Sequence, residues 1–244
     1  MGKNISAVIP VKANSSRLYH KNILPFSNSN LLVHKIRQLK ACGKIDEIIV
    51  SSDSEEMLQM ALKENVFAIK RPKMYADESQ PFGNFLEYLT GEIRFDHLLY
   101  ACCTSPLVET DLYEKAIDLY FDKLNEGYDS LISVYKYQHF LLDDNGPINF
   151  SRGLNHVNSQ NLPAYYNFTC GIVISPKEHI KQWKYHFGPN VYKMEVSQEE
   201  AIDIDTYWDY LAAQAFYQAK HGSENMPNQQ PLSSVMPHTP SPPR

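Results

Sequence analysis

The sequence predicts a three-layer α/β/α fold around a mostly parallel sheet. Three observations support this. Short apolar segments alternate with segments of helical period between residues 5 and 135. Hydrophobic residues make up 43% of the 244 residues and aromatic residues 12%, enough for a large core. Polar loops follow the apolar segments. A strand–helix–strand order of this kind implies parallel strands with right-handed crossovers and helices on both faces.

Five buried strands are predicted before residue 136, at 5–10, 46–51, 66–69, 97–103 and 130–135. The first intervening helix is predicted over 31–41, and the second opens with a capping-box pattern at Ser52 to Glu55. A third helix is predicted near 82–93, and a fourth follows the Thr104-Ser105-Pro106 break. The apolar periodicity predicts these inward-facing side chains: Leu32, Ile36, Leu39, Met57, Leu58, Ala61, Leu62, Leu112, Ala116, Leu119 and Tyr120.

The alternation loosens over residues 136–200, which we expect to form an inserted lobe and edge strands. Strands are predicted within YNFTCGIVIS and NVYKMEV. A last helix is expected over 207–220, with Leu211, Ala212 and Phe216 inward. One domain therefore spans residues 1–220. Residues 221–244 carry six of the 15 prolines and few large apolar residues, so they are predicted to be a disordered tail or linker.

Composition excludes several classes of function. The 23 Lys and Arg against 28 Asp and Glu give a net charge of −5, so we expect no nucleic-acid partner. No apolar run approaches the ~20 residues of a membrane span, and we expect no membrane insertion. Four cysteines, two of them adjacent, indicate neither a disulfide framework nor a zinc site, which predicts a reducing, cytoplasmic location.

The loop after the first strand is rich in groups that bind phosphate. Its eleven residues, 12–22, hold Lys12, Arg17 and Lys21 together with two serines and two asparagines. Such cations, hydroxyls and backbone N–H groups can cradle a polyphosphate. The loop has no glycine, so it is neither a Walker loop nor a dinucleotide fingerprint. The alternative is a solvated surface loop.

Two carboxylates alternate near the end of the domain, in Ala201-Ile-Asp-Ile-Asp-Thr206. An extended chain places Asp203 and Asp205 on one face and the two isoleucines on the other. Mg²⁺ commonly binds one or two carboxylates together with substrate phosphates. The alternative is that one aspartate caps the following helix and the other is solvated.

Two further segments follow predicted strands, Cys102 to Leu107 and Arg71-Pro72. The hydroxyls of the first segment and the guanidinium of the second are placed to contact a ligand. The alternatives are a strand-ending turn for the first and a plain surface charge for Arg71. The sequence has no HExxH, GxSxG or EF-hand pattern.

In chain order these segments resemble the CMP-sugar-acid synthetases, the acylneuraminate cytidylyltransferases and their CMP-Kdo relatives. Residues 9–22 are similar to IPARxxSxRLPxKN, residues 48–53 to IIVSTD, and residues 102–108 to QPTSPLR. Arg71-Pro72 with Asp77 resembles the family's RP and acidic residue. Asp203 to Thr206 matches its DIDT. The resemblance covers roughly residues 4–220.

The resemblance implies a Rossmann-like nucleotidyltransferase domain that uses CTP and Mg²⁺ and transfers CMP to an acidic sugar with release of pyrophosphate. It implies catalytic roles for Arg17, Lys21 and Asp205 and metal binding by Asp203 and Asp205. The nucleotide-binding residues it implies are Lys12, Asn14, Ser15, Arg17, Lys21, Asn22 and Arg71. The acceptor-binding residues are left unassigned.

The sequence departs from the family pattern mainly where the acceptor is expected. Cys102 replaces a glutamine and Val108 an arginine. The acceptor therefore stays open between a nonulosonate, Kdo and a phosphonate or phosphorylated alcohol. A nucleotide-binding module without catalysis is the alternative from another class. The resemblance also implies a homodimer, with residues 136–170 reaching a second subunit.

Overall fold

The computed structural model describes residues 3–15, 17–76 and 80–222. Ser16, Asp77 and the tail from residue 223 lie outside the described residues.

One mixed sheet of seven strands forms the centre, in the order β11-β7-β10-β6-β1-β4-β5. Two short two-stranded pairs complete the set. In chain order the strands are β1 (Ile5–Pro10), β2 (Pro25–Phe26), β3 (Ser29–Asn30), β4 (Glu47–Ser52), β5 (Phe67–Lys70), β6 (His97–Tyr100), β7 (Ser130–Tyr137), β8 (Leu142–Asp143), β9 (Gly146–Pro147), β10 (Tyr165–Pro176) and β11 (Val191–Glu195). The helices are α1 (Leu31–Ala41), α2 (Glu55–Lys63), α3 (Phe82–Glu92), α4 (Thr110–Asn125), α5 (Lys177–Trp183) and α6 (Tyr207–His221).

The predicted α/β architecture is confirmed. The β1 and α1 bounds match the predicted ones, and β1 pairs in parallel with both β4 and β6. Helices cover both faces of the sheet, and the apolar face of each helix packs against one side of it. Two apolar clusters result, one around Ile36 and Tyr113 and one around Leu86. In the described residues, no helix is long and apolar enough to cross a membrane.

Residues 136–200 depart from the simple picture of edge strands. β11 does lie at the edge, but β10 lies inside the sheet, antiparallel to β6 on one side and β7 on the other. Its register shifts between Phe168 and Val173, and Cys170 within this bulge has a φ of 55°. A bulge of this kind re-aims side chains, here at the functional edge of the sheet. Residues 138–164, which lie within the described ranges, hold the short strands β8 and β9 and short helical turns, and an inserted lobe here stays a prediction.

Two predicted helix faces are wrong in detail. Leu62 is 52% exposed, and Phe216 is 47% exposed. In α6 the buried positions are Tyr210, Ala213, Gln214 and Tyr217. The tyrosines take the core because their hydroxyls reach partners in the β2–β3 region: Tyr210 donates to the Pro25 carbonyl at 2.5 Å, and the Tyr217 hydroxyl lies 2.9 Å from that of Ser27.

The N-cap of α2 also lies two residues further along the chain than predicted. The Ser54 hydroxyl accepts a hydrogen bond from the Met57 N–H, so Ser54 is the N-cap. The Ser52 hydroxyl instead accepts from the Ser54 N–H at 3.0 Å and stabilises the turn before the helix. Ser52 is the last residue of β4, so its backbone is committed to the sheet.

Candidate functional site

A cavity of about 500 Å³ opens where β1, β5 and β6 end. Carboxyl ends of strands are where open α/β sheets bind ligands. The lining residues come from the loop after β1, from Arg71, from the segment after β6, from the start of α3, from the turn after α5 and from the β10 bulge. They include Lys12, Ser15, Arg17, Lys21, Asn22, Arg71, Phe82, Tyr100, Cys102, Cys170, His186 and Asp203.

The loop after β1 is held in place by β4. The Val11 N–H donates to the Ser51 carbonyl at 3.0 Å, and the Ala13 N–H donates to Asp53 Oδ1 at 2.8 Å. Buried Asn22 closes the other end of the loop, donating from Nδ2 to the Lys12 carbonyl at 3.0 Å. These bonds fix the backbone of a glycine-free loop beside the cavity, so its cations are positioned before any ligand arrives.

An apolar cluster brings the cations to the aspartates, although 184 residues separate Lys21 from Asp205. Leu18 and Ile204 are both fully buried in this cluster, which also contains side chains of α6. The Ile204 N–H donates to the Thr104 carbonyl at 2.8 Å and ties the segment to the end of β6. Because side chains alternate in an extended chain, burying Ile204 turns both Asp203 and Asp205 the other way.

Asp205 is paired with two cations of the loop. Arg17 Nη1 lies 2.7 Å from Asp205 Oδ2, and Lys21 Nζ lies 2.9 Å from Asp205 Oδ1. The two pairs differ in burial, because the side chain of Arg17 is 63% exposed and that of Lys21 only 15%. The less exposed pair is less screened by solvent and salt, so it contributes the stronger interaction.

Asp203 has a carboxylate oxygen free for a ligand. Burial raises the pKa of Asp203, while a hydrogen bond from the Thr104 side chain and the charge of Lys21 partly oppose that rise. Its Oδ1 is buried and has no hydrogen-bond partner among the described residues. A buried carboxylate oxygen without a partner is costly, and a cation would stabilise it.

The aspartate pair fits Mg²⁺ in a specific way. The described residues contain no group of three or more His, Cys, Asp or Glu placed to hold a metal by themselves. Mg²⁺ does not need such a group, because it keeps waters and takes one or two carboxylates plus substrate phosphates. Asp203 would supply its unpartnered oxygen. Asp205 would supply an oxygen once Arg17 or Lys21 has moved away from it.

Arg71 forms a second anchored cation in the cavity. Its side chain is buried, donating to the Ser51 carbonyl from Nη2 at 2.6 Å and lying 4.3 Å from the centre of the Phe85 ring. Burial lowers the pKa of Arg71. The guanidinium is therefore a rigid donor on the β5 side of the cavity.

Not every predicted residue lies in this cavity. Asn14 is exposed and is not among the lining residues. Asp205 lines a neighbouring cavity of about 450 Å³ with Asp209 and Asp203, and Asp203 lines both. Asp209 belongs to the helix cap, since its Oδ2 accepts from the Thr206 N–H at 2.7 Å.

An aromatic end of the cavity has no counterpart in the sequence analysis. Phe82, Tyr100 and His186 line it, with Tyr185 and Phe168 against the imidazole. No motif marks these residues, because they come from α3, β6, β10 and the turn after α5. The turn at Lys184, with a φ of 54°, could not be read from the sequence.

The family model for cytidylyltransferases matches residues 6–169, which include the loop after β1, Arg71 and the segment after β6. This match covers well over half of the chain. The chain belongs to the cytidylyltransferase family. It is accordingly a CTP-dependent nucleotidyltransferase.

Named relatives of this cytidylyltransferase cover most of it. It is 24% identical over 236 residues to the pseudaminic acid cytidylyltransferase of Campylobacter jejuni, covering 91% of this chain and 99% of that protein. It is 24% identical over 210 residues to the N-acylneuraminate cytidylyltransferase of Streptococcus agalactiae, covering 84% of this chain and 51% of that one.

Solved structures share the fold of the cytidylyltransferase. A CMP:2-keto-3-deoxy-manno-octonic acid synthetase complexed with CTP superposes with a TM-score of 0.67 at 13% identity, covering 89% of this chain and 99% of the other. The 4-diphosphocytidyl-2C-methyl-D-erythritol synthase of Anaerococcus prevotii gives 0.63 at 17% identity, covering 88% and 96%.

Proposed function

We propose that this cytidylyltransferase transfers CMP from CTP to a hydroxyl of a sialic-acid-like 2-keto sugar acid of the nonulosonate class and releases pyrophosphate. The observation that carries the proposal is that Arg17 and Lys21, which line the 500 Å³ cavity together with Asp203, are paired with Asp205 of the adjoining cavity. The relatives named for pseudaminic and N-acylneuraminic acids support the acceptor class.

The cationic loop would hold the triphosphate. Lys12, Ser15, Arg17 and Lys21 all line the cavity and would contact the phosphates, while Asn22 and Arg71, which line it too, would contact the nucleoside part. Asn14 would contribute through its backbone, since its side chain is exposed. Cations that leave Asp205 for the phosphates neutralise charge on the α-phosphate and on the leaving pyrophosphate.

Asp203 and Asp205 would hold Mg²⁺. The metal when bound would neutralise phosphate charge and orient the triphosphate for in-line attack. The acceptor hydroxyl oxygen forms a bond to the α-phosphorus as the bond between that phosphorus and the bridging oxygen to the β-phosphate breaks. Asp205 would also polarise the attacking hydroxyl, whose proton is lost to solvent.

The test is CTP-dependent pyrophosphate release with a panel of acceptors, namely pseudaminic acid, N-acetylneuraminic acid, Kdo and a phosphonate. We expect turnover with a nonulosonate that EDTA abolishes and excess Mg²⁺ restores. Turnover with the phosphonate alone would contradict the acceptor class. Thermal stabilisation by CTP with no turnover of any acceptor would indicate a nucleotide-binding module instead.

We further propose a cytoplasmic homodimer joined through the lobe at residues 136–170. The four cysteines are free, as a reducing compartment favours. The lobe exposes an unusual number of large apolar side chains: Phe140, Leu142, Ile148, Leu154, Val157, Tyr165 and Tyr166. Light scattering should give twice the chain mass, and Leu154→Asp should shift it toward monomer. A monomer at micromolar concentration would contradict the dimer.

A further inference from the structure

The most unusual buried group in the cavity is the imidazole of His186. The residue is only 3% exposed and lines the cavity, yet neither Nδ1 nor Nε2 has a hydrogen-bond partner among the described residues. Two unpartnered polar atoms in one buried ring are costly unless a ligand satisfies them.

The position of His186 is built by its surroundings. The residue follows Lys184, whose left-handed backbone ends α5, and its own carbonyl accepts from the Ser175 hydroxyl at 2.6 Å. Gly83 of α3 packs so closely on this turn that a Cβ there would lie 2.7 Å from the Lys184 carbonyl oxygen. The backbone of this turn is thus held by contacts on both sides, and the His186 side chain is enclosed.

The environment of the ring is aromatic. Five rings lie with centroids 4.6 to 5.6 Å from that of His186, namely Phe82, Tyr100, Phe168, Tyr185 and Phe187. Burial lowers the pKa of His186 to about 4, and no neighbouring charge contributes to that shift. At neutral pH the ring therefore offers one N–H donor and one nitrogen acceptor, without positive charge.

This chemistry selects the kind of group that fits. A carboxylate or phosphate would be buried among aromatic rings without a cation, which is unfavourable. An acylamino substituent fits better, because its carbonyl or N–H can pair with the imidazole while its alkyl part packs against the rings. A bare hydroxyl would pair but leave most of the apolar surface uncovered.

His186 lies toward the β10 side of the cavity, and Arg71 reaches the aromatic end only through Phe85, which packs against Phe82. Arg71 follows β5, whereas the ring contacts Tyr100 of β6 and Phe168 of β10, on the opposite side of β1 in the sheet. With the phosphates over the loop after β1, a base toward Arg71 leaves the β10 side for the acceptor.

We propose that His186 is a specificity-determining residue that recognises an acylamino substituent of the acceptor by hydrogen bonding within the aromatic end of the cavity. This inference rests on the proposed function and narrows its acceptor to sugar acids that carry such a substituent.

The experiment compares two acceptors, an acylamino-bearing nonulosonate and Kdo, which has hydroxyls but no acylamino group, in the wild type and in His186→Phe. We expect the variant to lose about 10- to 100-fold in kcat/KM for the first acceptor, mostly in KM, and much less for Kdo. The dissociation constant of CTP should stay within about twofold. His186→Gln, which keeps a donor and an acceptor, should recover part of the loss, and His179→Phe, outside the cavity, should change neither acceptor.

An unchanged preference in His186→Phe, or a loss of CTP affinity as large as that of acceptor, would overturn the proposal while leaving the cytidylyltransferase function intact. The wild type failing to turn over any sugar acid would instead contradict the proposed function. Should His186→Phe not fold, the ¹⁵N resonances of the wild-type imidazole decide: a shift on adding the acylamino acid to the CTP complex supports the role, and no shift overturns it.

Discussion

The two ends of the cavity solve different recognition problems with different chemistry. The charged end is built from one continuous loop and one short segment, and Arg17 and Lys21 of the loop are paired with Asp205. The aromatic end is assembled from four separate elements around an uncharged, unpartnered imidazole. The proposed phosphate site is thus encoded in short local segments, whereas the proposed acceptor site is distributed over the fold.

The largest expected effect is at the charged end. Asp205→Asn should lower turnover at least ~100-fold, because charge-stabilising groups at the reacting phosphate are typically worth this much. The fold should persist, since the backbone contacts of α6 do not use this carboxylate. Steady-state pyrophosphate release and circular dichroism measure the two expectations. Asp118→Asn, on an exposed carboxylate of α4, is the matched control. Near-full activity of Asp205→Asn would remove Asp205 from the mechanism.

Within the charged end, Lys21 and Arg17 should contribute unequally to CTP binding. Lys21→Met should weaken CTP binding about 100-fold and Arg17→Met about 10-fold, because the Lys21 side chain is much less exposed and its interactions are less screened. Titration calorimetry gives both dissociation constants, and the difference between the two variants should widen as salt rises, because salt screens the exposed Arg17 more than Lys21. Lys44→Met, far from the cavity, is the control. Equal losses of CTP affinity in the two variants would show that burial does not determine how much Lys21 and Arg17 each contribute.

Much of this charged end could be predicted from the sequence. Lys12, Arg17, Lys21 and the two aspartates stand in short segments whose residue types already indicate phosphate and metal chemistry. The strand–helix order places those segments at one edge of the sheet. What the sequence could not show is that Asp205 is paired with Arg17 and Lys21, because the contact depends on Leu18 and Ile204 sharing one apolar cluster.

The aromatic end could not be predicted, for a physical reason. His186 follows a helix whose end depends on the left-handed backbone of Lys184, and its ring neighbours are distant in sequence. The interior position of β10 was missed similarly, since an antiparallel strand between β6 and β7 breaks the simple βαβ order. Apolar side chains in these segments indicate burial but not which cavity they line.

A smaller loss of binding is expected from Lys35, whose hydrogen bonds support segments at both ends of the cavity. Buried Lys35 donates to the carbonyls of Ser105 and Val108, at 2.9 and 3.1 Å, and to the Tyr113 hydroxyl at 2.9 Å. That hydroxyl in turn donates to the Gly171 carbonyl, next to Cys170 in the β10 bulge. Lys35→Met should cost about 2–4 kcal/mol of the free energy of unfolding by leaving these acceptors unpaired. CTP and acceptor binding should weaken together.

The pH dependence of stability isolates Lys35. Burial lowers its pKa to about 7 from an ordinary 10.5, so between these values the unfolded chain holds a proton that the folded protein lacks. Its contribution to stability therefore rises with pH across that window and is lost as pH falls toward 7. The free energy of unfolding measured with urea should rise more for the wild type than for Lys35→Met between pH 7 and pH 9. Parallel curves would contradict the shift.

We propose that the cationic loop and the aspartate pair bind one and the same complex of Mg²⁺ with CTP. The most direct measurement is the dissociation constant of CTP with and without Mg²⁺, in the wild type and in Asp205→Asn. Without metal, the variant should bind CTP more tightly than the wild type, because Arg17 and Lys21 no longer have a competing carboxylate. Mg²⁺ should strengthen binding in the wild type and do so much less in the variant. Equal strengthening in both proteins would contradict a shared complex.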